Sequence, residues 1–170
     1  MRILSDFRIL LLGLWLGAVC FFSFAVAPSA FAVLESREAA GAVVNRTLLI
    51  VNYSGILIGL ILLASSYLPR WNYSRVLIWI ERILLLLTTA ACAFGQFVVG
   101  IKLQNLRAEI GRPLDELALD DSLRVAFNDL HAQSVQVLGT AMICALIAFF
   151  FIARRVRNQE NQTKTNVEYH

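Results

Sequence analysis

The side chains of this 170-residue chain that could do chemistry inside its apolar stretches are few, and most of them fall at one level. Counting inward from the nearest charged residue, Asn52 lies six residues past Arg46, Gln96 six before Lys102 and Ser29 six before Glu35, while His131 and Ser134 lie two and five past Asp129. At about 1.5 Å of rise per helical residue, all five sit within roughly 9 Å of one boundary. Pro28 belongs to the same layer, and a proline there leaves the carbonyl of Phe24, four residues earlier, without its amide. Groups of this kind have two uses. They bond one another and pin helix register, or they line a shallow polar pocket in which His131 serves as proton acceptor, metal ligand or cofactor ligand. His131 two residues from a charge also fits a solvated place at the headgroups.

Two further groups bear on chemistry. Cys20, Cys92 and Cys144 fall near the middles of three apolar stretches, with Met142 close to the last, and convergent sulfur would suit Cu(I). No Cys-x-x-Cys or Met-rich repeat accompanies them, so a buried cysteine acting as a small apolar residue is the expectation, with no metal site and no disulfide. Glu81 and Arg82 interrupt the start of another stretch. They read as an interfacial pair whose long side chains reach the headgroups; a Glu81 facing the interior would be what an ion-coupled carrier requires.

The elements that must position these residues are apolar helices. Ile9–Leu34, Thr47–Pro69, Ile83–Ile101 and Leu130–Ala153 contain no Asp, Glu, Lys or Arg, and each is about as long as the roughly 20 residues needed to cross a bilayer core. With 58% hydrophobic and only 16% charged residues, the composition departs from that of a soluble domain in the direction of a membrane protein. Hydrocarbon offers no partner for free backbone groups, and the alternation of barrel strands is absent, so the segments must be helical. The expected fold is all-α: an integral membrane four-helix bundle over residues 1–157, with spans at about 9–34, 47–69, 78–101 and 130–153, and a disordered polar tail over 158–170. Pro28-Ser29-Ala30-Phe31-Ala32 imitates a signal-peptide cleavage site, but the apolar run before it exceeds the usual 7 to 15 residues and three more spans follow, which favours an uncleaved first span.

The basic residues suggest an orientation. With the N-terminus inside, nine lie inside (Arg2, Arg8, Arg70, Arg75, Arg82, Arg154, Arg155, Arg157, Lys164) and six outside, so both termini are expected in the cytoplasm of a multi-pass protein of the plasma or inner membrane. Tyr67, Trp71, Tyr73 and Trp79 bracket the short inner connection as an aromatic belt. In the longest connection, Pro113 with Leu114, Leu117, Leu123 and Phe127 predicts a helix running toward span four, which would extend spans three and four beyond the outer surface. Of the Asn-x-Ser/Thr matches, Asn45 alone lies on that side beyond lipid.

Small residues indicate where helices meet. Gly13 with Gly17 and Gly55 with Gly59 form Gly-x-x-x-Gly steps, and Ala91/Gly95 and Ala141/Ala145 form weaker ones. Such steps let backbones approach where lipid supplies no hydrophobic drive, either within the bundle or in a homodimer.

Gly13-Leu14-Trp15-Leu16-Gly17, then Phe24-Ala25-Val26-Ala27-Pro28 with Phe31 and Ala40-Gly41, resembles the opening of the transmembrane-protein-205-like family of four-helix proteins. Phe127-Asn128-Asp129-Leu130-His131 with Ser134 is similar to that family's aromatic-x-x-x-His-x-x-Ser start of the last helix, although Ala132, Gln133 and Gln136 stand where the family commonly has Gly and Asn. The resemblance implies a four-helix fold and supplies no catalytic residue.

The resulting functional expectation is a membrane protein without enzymatic activity or cofactor, moving a small solute or serving a metal-related transport or resistance role. Its rival is a scaffold for a membrane complex, with the bilayer and a homodimer or other membrane protein as partners and no nucleic acid. A haem-linked redox protein is the third reading, although a single membrane histidine gives at most one axial ligand.

Overall fold

A computed structural model describes residues 2–67 and 75–168, and side chains over 4–67, 75–155 and at 157. Four helices long and apolar enough to cross a membrane, Leu4–Val33, Arg37–Ser65, Arg75–Ile110 and Ser122–Arg155, account for most of the chain, and the described residues contain no strand. The first span joins α1 (Arg2–Phe21) through a π-helical turn, Phe22–Val26, to α2 (Ala27–Val33). The second is α3 (Arg37–Ser65). The third joins α4 (Arg75–Phe94) through a second π-helical turn, Gly95–Gly100, to α5 (Ile101–Ile110), and the fourth is α6 (Ser122–Glu168).

Short polar signals stop and start the helices. Ser36 Oγ accepts the Ala39 N–H and opens α3, with Glu38 in the favourable first turn. Gly111, at φ +59°, closes α5 in the left-handed conformation that glycine adopts without cost. Asp121 Oδ1 accepts the Leu123 N–H and opens α6.

Each span packs on its neighbours in sequence, and α1 closes the ring on α6. The buried faces follow one spacing. Arg8, Leu12, Trp15, Val19 and Phe22 line the first span; Glu81, Leu85, Thr88 and Cys92 line α4; Ala141, Ala145, Ala148, Ile152 and Arg155 line α6. Steps of three and four residues keep a side chain on the same face of a helix, and alanines on α6 let α4 and α1 come close. The apolar residues left on the outside, such as Leu14, Phe24 and Leu57, form the surface presented to acyl chains. This is an integral, multi-pass membrane bundle.

Two expectations change. The helix foreseen from Pro113 is only a 3₁₀ turn, Leu114–Glu116, and α6 begins at Ser122, because Asp121 supplies the cap and Arg124 Nη1 donates to the Leu117 carbonyl at 2.6 Å, folding the connection back. Spans three and four nevertheless extend as helices beyond their charge-free stretches, to Ile110 and from Ser122. Where a disordered tail is expected from Asn158, helix continues through Glu168; no Gly or Pro follows Gly139 to interrupt the ladder. Trp71, Tyr73 and the sequon at Asn72 lie outside the described residues.

Gly55 and Gly59 lie at close contacts between helices. A Cβ on Gly55 would meet Cys92 Sγ at 2.7 Å and the Trp15 ring at 2.9 Å, and one on Gly59 would collide with Thr89 Oγ1. Gly13 lies against Phe149, 3.3 Å from its would-be Cβ. Gly17 does not take part: nothing lies within 4 Å, because it has rotated off the face that Trp15, Leu16 and Val19 bury.

Candidate functional site

Two polar sites occupy opposite ends of the bundle. The first is ionic. Glu81 on α4 is 2% exposed and accepts from Arg8 Nη2 on α1 at Oε1, 2.5 Å, and from Arg155 Nη1 on α6 at Oε2, 2.6 Å. Arg8 Nη2 also donates to the Leu62 carbonyl on α3 at 3.2 Å, so this one cluster ties all four spans. Glu81 lies six residues into the span that begins at Arg75, roughly 9 Å along the helix axis. Charges buried at that depth are retained only when matched, and here each carboxylate oxygen faces a guanidinium from a different helix.

Glu81 and Arg82 therefore separate, contrary to the interfacial pair expected of them. One residue of helix turns Arg82 about 100° away, where Nη2 donates to the Ser66 carbonyl at 2.9 Å and Nε to Ser66 Oγ at 3.1 Å. Its guanidinium lies 4.1 Å from the Tyr67 ring centroid and 5.7 Å from that of Trp79. A cation against the last carbonyls of α3 is favoured by the helix dipole, and two aromatic faces add to it. Sequence reasoning missed Arg8 and Arg155, counting them only as basic residues at an end. Their spacing carried the signal: Arg8 is four residues before Leu12, and Arg155 three after Ile152, each in step with an apolar stripe.

The second site is the predicted polar layer, which the structure divides. Asn52 on α3 and Gln96 in the second π-helical turn are buried, at 4% and 9% exposure. Ser134 is half-buried. His131, Pro28 and Ser29 are exposed. His131 is exposed on α6, while Val137, six residues and a net rotation of about 240° along, turns in toward Gly95, 3.4 Å from its would-be Cβ. Pro28 acts on the backbone. With no N–H at position 28, the helix widens one turn earlier and the Ala27 N–H bonds the Phe22 carbonyl five residues back. The second turn is permitted by Gly95 and Gly100, whose backbones stack so closely that a Cβ on Gly100 would lie 3.2 Å from the Gly95 oxygen. The second π-helical turn carries Gln96 and lies against Asn52, and such turns often mark functional positions.

The thiols do not converge. Cys20 is exposed, Cys92 is buried against Gly55, and Cys144 is half-buried; among the described residues no three of His, Cys, Asp and Glu come together as a metal group.

A family model, that of DUF4149, a domain of unknown function, matches residues 10–112. That interval holds Asn52, Glu81 and Gln96 and excludes Arg8, His131 and Arg155. No curated protein and no solved structure matches the chain.

Proposed function

We propose, from the premise that the chain belongs to the DUF4149 family, that it is a carrier of a small polar solute across the membrane, closed at one end by the Arg8–Glu81–Arg155 cluster. The observation that carries this reading is a carboxylate buried inside a span and shared by arginines of two other helices. Ionisable groups at such depth are costly, and where they occur they most often mark a transport path or its gate. An ion cluster suits a gate because its members can part and be hydrated, which an apolar seam cannot do at similar cost. The opposite end offers uncharged polar groups, Asn52 and Gln96, and so the two ends differ as those of a carrier do. Both termini are taken to face the cytoplasm on the nine-to-six division of basic residues. The finer likeness to transmembrane-protein-205-like proteins rests on the Gly13–Gly17 and His131–Ser134 patterns.

The test is solute flux in proteoliposomes, followed by light scattering after a gradient of acetamide, glycerol or potassium chloride. Wild-type protein should exceed protein-free vesicles for at least one probe. The variant Arg8→Met/Glu81→Leu/Arg155→Met should remain folded and lose that flux. A folded triple variant with full flux, or a wild type indistinguishable from empty vesicles, overturns the reading. A scaffold role is favoured by one feature, the outward-facing Gly17, which leaves a smooth strip on the lipid surface for a partner helix.

A further inference from the structure

Asn52 and Gln96 are each more than nine-tenths buried, and among the described residues neither side chain makes a hydrogen bond. Buried carboxamides are normally bonded, since each carries donors and an acceptor that lose water on folding. Each amide borders a glycine of the second π-helical turn. Asn52 Nδ2 and Oδ1 lie 3.7 and 3.9 Å from where a Gly95 Cβ would stand, and Gln96 Nε2 lies 3.9 Å from where a Gly100 Cβ would stand. The residues next in sequence to the two amides, Tyr53 and Phe97, meet edge to face with centroids 5.9 Å apart and brace the seam between α3 and the π-helical turn.

We infer that Asn52 and Gln96 are the recognition groups of a site for a small uncharged solute bearing both a hydrogen-bond donor and an acceptor, of the amide class. A carboxamide answers another carboxamide with N–H to C=O and C=O to N–H, so the pair offers such a solute complementary partners on two helices. The side chains nearest the two glycine positions are Asn52, Gln96 and Val137, all uncharged. An ion would therefore surrender its hydration to neutral groups alone, which excludes it in favour of a neutral guest. The inference deepens the carrier reading by naming its substrate class and rests on that reading for transport. Binding is measured without flux, so the two can fail separately.

The experiment is an acetamide titration of the full-length protein in lipid nanodiscs, with the ¹⁵N signals of the side-chain amides as readout. The Asn52 and Gln96 signals, assigned by their loss in Asn52→Leu and Gln96→Met, should shift to saturation with acetamide and stay still with potassium chloride. Each variant should bind roughly tenfold more weakly, the loss of about one hydrogen bond. Gly95→Ala guards against misfolding of those variants, because its methyl makes only ordinary contacts, 3.4 Å to Val137 and 3.7 Å to Asn52, yet crowds the Asn52 amide; it too should weaken binding. Shifts that never saturate, that potassium chloride reproduces, or that persist with equal affinity in Gly95→Ala would overturn the inference and leave the amides bonded to water.

Discussion

At the scale of single residues, Glu81 holds the most consequential position. Glu81→Gln keeps the shape of the side chain and removes the charge that two buried guanidiniums face, so the folded state should lose about 3–5 kcal/mol, the range for breaking one partner out of a buried pair. Unfolding in mild detergent, followed by tryptophan fluorescence, measures it; a loss below about 1 kcal/mol would mean that the cluster is hydrated and weak. Two glycines give a matched contrast. Gly59→Leu must displace Thr89, and its overpacking should cost about 1–3 kcal/mol, whereas Gly17→Leu meets open space and should be neutral or gain up to about 1 kcal/mol from helix propensity. The same pair of variants, run on a sizing column, reports on association: if Gly17→Leu alone shrinks the particle, the outward strip is a helix–helix interface.

Among the elements, the two widened turns distinguish this bundle from four straight rods. A π-helical turn accommodates one extra residue and so rotates the helix on its N-terminal side by about 100° relative to the helix on its C-terminal side. In the first span the buried stripe of Arg8, Leu12, Trp15, Val19 and Phe22 runs in regular α-helical steps up to this turn, and Phe24 and Pro28 beyond its start are exposed. Restoring the missing donor with Pro28→Ala should return the turn to ordinary α-helix. Hydrogen exchange reads the change: the new amide at position 28 should be protected by the Phe24 carbonyl, and an amide that exchanges freely would show that the widening has another cause. Trp15 helps hold the register, its Nε1 donating to the Val51 carbonyl at 3.1 Å, directly beside Asn52.

For the whole molecule, the end of the bundle nearest the termini is where all four spans are cross-linked by charge, through Arg8, Glu81 and Arg155 and the contact of Arg8 with Leu62. The opposite end carries no such cluster among the described residues; its one ion pair there, Arg37 with Asp115 at 3.6 Å, is exposed, and exposed pairs contribute little. Opening should therefore begin at the far end. Thiols introduced in the connections at 34–36 and 111–121 should react with a membrane-impermeant reagent from outside intact cells if the basic residues set the orientation; labelling of residues beside Arg154 instead would reverse it.

The number of spans, their helical nature and their approximate positions were legible in the chain, because a bilayer of fixed thickness imposes a length and forbids charge over it. Gly55 and Gly59 were legible as contacts for a similar reason: only small residues let two backbones approach within lipid. Pro28 was readable as a freed carbonyl, since its missing N–H is a covalent fact. What distance along the chain could not decide was direction around each helix. Counted from the nearest charge His131 and Asn52 share a depth, yet Asn52 is buried beside Gly95 at the level of Val137, six residues along α6 from the exposed His131, because neither helix tilt nor rotation is written in that count. The ion cluster required three helices to be placed at once. Arg8, Glu81 and Arg155 are separated by 73 and 74 residues of chain, and only the packing of α1, α4 and α6 brings two guanidiniums to opposite oxygens of one carboxylate.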